Sequence, residues 1–294
     1  MQKNKTLFYT LLVMILWGSL FPMVKLGYTA FGVESVGDIL FFAGVRFTIC
    51  GAIISVFAFF TDKQFLKSIR GAFLPVLLSG LFAIILHYSC TYTALKLTDS
   101  SKTAILKQVG ILFYVCFSSL FFKDDKLTIK KLIGVLMGFL GIVAINIKSD
   151  GFSFNIGDVL IIAASFCTVF SNIISKKVFQ TVKPVTATGV SQLFGGIVLL
   201  FVGKMMGGDM QFAMQASSLT LVYICIASII SYLLWYTVVK NGELSKLFIV
   251  KFAEPAFACI FGALILQENV FQIQYLVAFI LIAGGIYISH LKTE

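Results

Sequence analysis

Lys107, Lys251 and Glu254 are ionisable side chains that lie inside apolar runs long enough to cross a bilayer. A charge at the centre of a membrane helix costs roughly 3 kcal/mol on insertion scales, so such residues usually face a protein interior or a water-filled path. An ammonium group binds a carboxylate or phosphate strongly where water is scarce. These residues therefore predict a substrate path, with the alternative that each lysine extends to the nearer membrane surface.

Glu254 has two interpretations at this stage. Lys251 lies three residues before it, so the two side chains could pair on one helix face. Alternatively, a buried carboxylate could carry a proton and couple transport to it. Pro255 follows directly and predicts a loosened helix at this point, because proline cannot donate a backbone hydrogen bond.

Aromatic residues on two other apolar runs are further candidates for the site. In each run two tyrosines stand one turn apart and so share a helix face. They could line a cavity that binds a substrate, including a cation held by ring faces, or they could serve helix packing and the interfacial belt. The candidates are Tyr88 and Tyr92 on the third run, Tyr232, Trp235 and Tyr236 on the eighth, and Trp17 on the first.

A shift of 144 positions superposes one part of the chain on another. It places Tyr88 on Tyr232, Tyr92 on Tyr236 and Lys107 on Lys251, and the correspondence continues without a gap to Gly141 on Gly285. Glu254 has no charged counterpart, since Gly110 takes its place. The chain therefore contains an internal repeat. In membrane proteins such repeats often place the substrate site near the midplane, between the two halves.

Composition identifies an integral membrane protein. The 294 residues are 59% hydrophobic and only 12% charged, which is too little charge to coat a soluble globule. The net charge of +10 comes from short basic clusters between apolar runs, so nucleic acid is not an expected partner. The six cysteines stand singly and no HExxH or CxxC motif occurs, so neither a cofactor nor a metal is expected.

We expect an all-α membrane protein with ten transmembrane helices. Of the 23 lysines and arginines, 15 fall on the side that holds both termini and five on the other, so the positive-inside rule predicts cytoplasmic termini. Five spans in each half would place the two halves in opposite orientations, giving two inverted five-helix repeats at 1–147 and 158–294 with a linker at 148–157. The predicted spans are 7–27, 38–60, 71–95, 103–122, 132–147, 158–176, 185–203, 219–239, 247–266 and 271–290.

Two further features concern packing. Arg46 lies within the second span, where pairing with a helix end or a carboxylate such as Asp38 is favoured over substrate contact. Gly134 and Gly138 on the fifth span form a GxxxG pattern, extended by Gly141, that permits close helix contact. That contact could form a homodimer, although packing within one chain is the preferred interpretation.

Several of these residues together resemble the EamA-type branch of the drug/metabolite transporter superfamily. They are Trp17-Gly18-Ser19, Arg46-Phe47, the segment from Ala94 to Lys102, and Glu254-Pro255 followed by Glu268. The resemblance covers nearly the whole chain. It implies ten helices, a central cavity bounded by the third, fourth, eighth and ninth spans, and export or exchange of small metabolites. The lysines are also similar to those that hold anionic substrates in the sugar-phosphate and nucleotide-sugar branches.

These observations predict a carrier that moves a small metabolite across the cytoplasmic membrane by alternating access. An anionic substrate, a carboxylate or phosphate, would bind Lys107 and Lys251. The alternative is a carrier of amines, amino acids or drugs that uses the aromatic cavity. A membrane-embedded enzyme is a remote alternative, because no catalytic constellation is visible in the sequence. A channel is disfavoured because charged residues within both copies of a repeat predict alternating access.

Overall fold

The fold of the described residues is entirely helical. The computed structural model describes residues 2–97, 107, 109–122, 127–146, 155–211, 215–267 and 273–291, and no strand occurs among them. The helices are α1 (Gln2–Phe31), α2 (Val36–Thr61), α3 (Phe65–Gly71), α4 (Phe73–Gly80), α5 (His87–Leu97), α6 (Val109–Phe121), α7 (Ile129–Asn146), α8 (Ile156–Val178), α9 (Pro184–Met205), α10 (Gln215–Asn241), α11 (Leu244–Val250), α12 (Ala253–Leu266) and α13 (Ile273–His290).

Seven helical segments of the described chain are long and apolar enough to cross a membrane. Large apolar side chains also cover the outside of the bundle, among them Phe60, Leu120 and Leu264, each more than 70% exposed. Such a surface suits lipid rather than water. The remaining three predicted spans coincide with helices α6, α7 and α13. The count of ten crossings and their orientation therefore remain predictions, whereas the multi-pass helical architecture is established.

The predicted ninth span is two helices rather than one. Helix α11 ends at Val250, and α12 begins at Ala253. Pro255 has no backbone N–H to donate to the carbonyl of Lys251 four residues earlier, and its ring crowds that carbonyl. The Lys251 carbonyl instead accepts from the Glu254 N–H at 3.0 Å, which tightens the chain into a turn. Lys251 thus lies at a break in the span and not on the continuous helix face that the sequence predicted.

The third span also departs from a regular α-helix. Between α4 and α5, residues Leu81–Leu86 form a π-helical turn. A π turn inserts extra backbone and rotates everything after it, and such turns are frequent at functional sites. Here the turn directly precedes His87 and Tyr88. Helix α1, by contrast, continues through Pro22 without interruption.

The two halves of the chain pack mainly against each other. Helix α2 lies along α9, α7 lies along α13, α1 contacts α10 and α12, and α8 contacts α4, α5 and α6. This exchange of partners is what a two-fold relation between the halves would produce. Glycines allow the closest contacts: a Cβ at Gly44 would lie 2.3 Å from the Leu200 nitrogen, and one at Gly51 would lie 2.2 Å from the Leu193 nitrogen.

The GxxxG segment of the fifth span is used within the chain. A Cβ at Gly134 would lie 2.7 Å from the Gly285 carbonyl oxygen of α13, and one at Gly138 would meet the Phe252 ring. Packing within one chain therefore accounts for both glycines. Of the linker predicted at 148–157, residues 148–154 lie outside the described residues. Asn155 then caps α8 in a capping box with Asp158.

Candidate substrate-binding site

A narrow cavity in the bundle brings together the three ionisable residues that the sequence singled out. Its lining includes Lys107, Lys251 and Glu254, from the regions of the fourth and ninth spans. The remaining lining residues are Ile111, Ser165, Thr168, Val169 and Phe248. Helix α8 therefore contributes a wall that the sequence did not single out. Among the described residues, no group of histidines, cysteines and acids could hold a metal ion.

Lys107 and Glu254 form an ion pair across the two halves of the chain. The distance from Lys107 Nζ to Glu254 Oε1 is 3.1 Å, and the side chains are 14% and 4% exposed. The second oxygen of Glu254, Oε2, is buried without a hydrogen-bond partner. Glu254 thus pairs with Lys107 and not with Lys251, because the break before Pro255 removes the regular i, i+3 geometry that the sequence argument assumed.

The ammonium group of Lys251 lies in a box of aromatic rings. Its Nζ is 5.0 Å from the centroid of the Trp17 ring, 5.3 Å from that of Trp235 and 5.9 Å from that of Phe248. The residue is 6% exposed. No acidic side chain in the described part of the chain is within ion-pair distance of it. Ring faces stabilise a cation, but they leave its charge uncompensated.

Trp17 and Trp235 are held in place by neighbours. Gly18, next to Trp17, lies directly on α12, where an added Cβ would be 2.6 Å from the Phe257 Cβ. On the other side of the box, Trp235 Nε1 donates to Asn172 Oδ1 of α8 at 2.7 Å. The rings of the aromatic box therefore come from α1, α10 and α11, and α8 supports the box through Asn172.

The two tyrosines that the repeat superposes meet in space. The hydroxyl oxygens of Tyr88 and Tyr232 are 2.9 Å apart, which is a hydrogen bond between the halves. The Tyr232 ring packs edge-on against Trp17, with centroids 5.8 Å apart. Tyr236 lies one turn further along, against Phe179, and neither Tyr236 nor the tyrosine pair is among the cavity-lining residues. The tyrosine pair thus adjoins the aromatic box, and Tyr236 lies behind it.

Arg46 is buried beside this tyrosine pair. It is 1% exposed, and it donates from Nε to Ser228 Oγ at 3.0 Å and from Nη1 to the Tyr92 hydroxyl at 2.7 Å. Its guanidinium also lies over the rings of Phe47 and Tyr88, at 4.8 and 5.7 Å. The expected pairing with Asp38 is wrong.

Asp38 has a different role, at the start of the same helix. It forms the capping box of α2 with Ser35 and accepts from the Asp209 N–H at 2.9 Å. A carboxylate in the first turn of a helix is stabilised there by the free N–H groups. Asp38 is therefore a capping residue and unavailable to Arg46, which lies eight residues further along α2.

Sequence reasoning missed several residues near the site. Thr168 lines the cavity and hydrogen-bonds His87 Nδ1 at 3.0 Å, and Ser165 lies one turn before it on α8. Hydroxyl residues spaced by three on an apolar helix were the available signal, but they are common in membrane helices. Phe248 had no polar signal at all. Lys102 and Glu268, which contributed to the family resemblance, lie outside the described residues.

A helical bundle with an apolar outer surface and a charged cavity between its halves defines a multi-pass membrane protein. A solved crystal structure superposes on this fold with a TM-score of 0.80, covering 98% of this chain and 96% of that one at 18% identity. The model of the EamA-like transporter family matches residues 4–147 and 155–290. The chain belongs to the EamA-like transporter family, within the drug/metabolite transporter superfamily.

Similar proteins carry transporter names. An uncharacterized transporter of Archaeoglobus fulgidus is 23% identical over 91% of this chain and 91% of its own length. The uncharacterized transporter YetK of Bacillus subtilis is 23% identical over 86% of this chain and 78% of its own. The uncharacterized inner membrane transporter YedA of Escherichia coli is 23% identical over 94% and 87%, respectively. The protein is therefore a membrane transporter, a class that implies a small-molecule substrate and a lipid environment.

Proposed function

We propose that the protein is a secondary-active carrier that exports or exchanges a small anion, a carboxylate or phosphate, by alternating access in the cytoplasmic membrane. The observation that carries this proposal is the Lys251 ammonium, which is buried among aromatic rings with no acidic side chain within ion-pair distance in the described part of the chain, since Glu254 of the same cavity pairs with Lys107. A buried charge without a counter-charge is costly. An anionic substrate would supply the missing counter-charge at this place.

The charge balance around the cavity supports the same substrate class. Arg46, Lys107 and Lys251 are three cations, whereas Glu254 is the one carboxylate beside them among the described residues. One cation is neutralised by Glu254, which leaves the region with an excess of positive charge. Positive potential in a cavity with low-dielectric walls attracts anions and raises their local concentration.

Glu254 is the proposed coupling residue. One of its oxygens holds Lys107, and the other is buried without a partner. A carboxylate in this position has a free oxygen that can accept a proton, and protonation would weaken its hold on Lys107. Because Lys107 and Glu254 come from different halves of the chain, this would alter the contact between the halves. Binding that differs between two conformations is what drives a carrier through its cycle.

Transport of an amine or another cation is the second candidate. The box of Trp17, Trp235 and Phe248 already surrounds an ammonium group, so its chemistry suits a cation. A cationic substrate would have to replace the Lys251 ammonium in the box or lie beside it. Repulsion between the like charges opposes both arrangements, so an anion is the better fit.

The test is ligand binding by the purified protein and by Lys251→Met. The screen measures the shift in thermal unfolding with organic acids, sugar phosphates, amino acids and amines. We expect anions to stabilise the wild type and Lys251→Met to bind them about tenfold or more weakly, the contribution of a charged hydrogen bond. Lys251→Met should remain folded, because it removes a buried charge that no carboxylate pairs directly and leaves the Lys107–Glu254 ion pair in place.

The matched control is Lys240→Met, since Lys240 is an exposed lysine at the end of α10. It removes the same charge from the chain but lies outside the cavity, so anion binding should be unchanged. Stabilisation by amines alone, or equal anion binding by the wild type and Lys251→Met, would refute the anion proposal.

A further inference from the structure

The Arg46 guanidinium is incompletely satisfied by the fold. Ser228 and Tyr92 accept from its Nε and Nη1, but its third nitrogen, Nη2, is buried without a partner. No carboxylate in the described ranges lies within ion-pair distance of Arg46. Hydroxyl oxygens and ring faces orient a guanidinium, but they do not neutralise it. The arrangement therefore holds a fixed cation inside the bundle with one nitrogen still able to donate.

A second unpartnered donor lies beside it. The hydroxyl group of Tyr28, on α1, is also buried without a hydrogen-bond partner. The Tyr28 ring packs edge-on against Tyr92, with centroids 6.1 Å apart, and the residue is close enough to Arg46 to interact with it electrostatically. Buried polar groups in folded proteins are nearly always hydrogen-bonded. Two buried donors around the same tyrosine are therefore both available to hydrogen-bond one ligand group.

We propose that Arg46 and Tyr28 form a second anion subsite, which binds a carboxylate group of the transported molecule. One carboxylate oxygen would accept from Nη2 of Arg46 and the other from the Tyr28 hydroxyl, so two donors meet two oxygens. The ligand would neutralise the guanidinium and satisfy both orphaned groups. A phosphate group offers more oxygens than this pair of donors can satisfy.

The subsite and the aromatic box of Lys251 lie on either side of the tyrosine pair. The Tyr88 ring packs at a tilt against Phe47 next to Arg46, and its hydroxyl is hydrogen-bonded to that of Tyr232, which packs against Trp17 of the box. A molecule with two carboxylates could therefore engage Lys251 with one and Arg46 with the other once the tyrosines part. This inference rests on the proposed function and narrows its substrate class to dicarboxylates.

The experiment compares binding of two kinds of probe by the full-length protein in lipid nanodiscs. The probes are the straight-chain dicarboxylates from malonate to adipate and the monomethyl ester of each, with inorganic phosphate as a further probe. Dissociation constants are measured for the wild type, Tyr28→Phe, Arg46→Lys and the control Tyr287→Phe. Tyr287 is exposed on α13, so its variant loses a hydroxyl group far from the site.

We expect the wild type to bind at least one dicarboxylate about tenfold or more tightly than its monomethyl ester, the effect of one charged hydrogen-bonded group. Tyr28→Phe and Arg46→Lys should remove most of this preference, and Tyr287→Phe should keep it. Tyr28→Phe should also unfold at an unchanged or higher temperature without ligand, because its hydroxyl has no partner in the fold. If Tyr28 had only a structural role, Tyr28→Phe would not keep the wild-type unfolding temperature and at the same time lose the preference for the dicarboxylate over its monomethyl ester.

Three results would overturn the subsite. They are the absence of a dicarboxylate preference in the wild type, a preference that survives Tyr28→Phe, and phosphate binding that depends on Tyr28 in place of carboxylate binding. Lys251→Met separates this inference from the proposed function. If Lys251→Met binds the monomethyl esters normally while Tyr28→Phe loses the preference, the Lys251 proposal fails and the Arg46 subsite stands.

Discussion

The ion pair between Lys107 and Glu254 allows a quantitative test, because it joins the two halves of the chain. Two unit charges 3.1 Å apart attract each other by about 5 kcal/mol at an effective dielectric constant of about 20. The cost of burying both charges offsets most of this attraction. Removing one partner is different, since it leaves the other charge buried. Such changes destabilise proteins by about 3 to 5 kcal/mol.

We expect Glu254→Gln to lower the free energy of unfolding by about 3 kcal/mol, the lower end of that range, because Lys107 retains 14% exposure. Glu254→Gln also leaves Lys107 and Lys251 in one cavity without a carboxylate. The double variant Lys107→Met/Glu254→Gln should recover most of the loss, since it removes both charges of the pair. The coupling free energy should therefore be at least about 2 kcal/mol.

The measurement is a double-mutant cycle from denaturant unfolding in detergent micelles at neutral pH. The control cycle uses Lys204 and Asp209, whose ion pair spans 3.7 Å with side chains 62% and 77% exposed. Exposed pairs contribute less than about 1 kcal/mol. If the coupling of Lys107 with Glu254 is no larger than that of the control pair, the buried ion pair between the halves is refuted.

Two further predictions concern positions outside the cavity. An added Cβ at Gly44 would lie 2.3 Å from a backbone nitrogen of α9, so Gly44→Ala should cost about 1 to 3 kcal/mol of unfolding free energy, whereas Gly71→Ala, with nothing within 4 Å, should not. Burial alone would raise the pKa of Asp62, but hydrogen bonds from Thr186 and Lys183 hold it below its usual value. Asp62→Asn should therefore reduce stability at pH 7, and the difference from wild type should vanish as the pH falls from about 4 through the lowered pKa; an equal difference at pH 7 and pH 2.5 would contradict this.

Local signals in the sequence were enough to predict the multi-pass helical architecture and some of the residues that meet in the candidate site. Apolar run length located the spans, since a bilayer requires about 20 apolar residues. Pro255 marked the break in the ninth span because the missing N–H is a property of the residue itself. The internal repeat indicated that Tyr88 and Tyr232 are equivalent, and residues equivalent by a two-fold relation can meet where the axis passes.

The partners of the charged residues could not be predicted in the same way. Lys251 and Glu254 are close in sequence, but the turn at Lys251 interrupts the helix between them. Glu254 forms its ion pair with Lys107, which is far away in the chain. Asp38 is near Arg46 in sequence but is held by the cap of its own helix. Such pairings depend on how distant helices pack, and a single sequence contains no direct record of that packing.

The measurement that tests the central claim most directly is counterflow in proteoliposomes. Liposomes are loaded with an unlabelled dicarboxylate and diluted into the labelled compound, and uptake is followed for wild type, Lys251→Met and the control Lys240→Met. The account predicts transient, saturable accumulation of the labelled anion by wild type and Lys240→Met, and strongly reduced accumulation by Lys251→Met. Counterflow of a quaternary amine without counterflow of any anion, or unchanged anion counterflow by Lys251→Met, would contradict it.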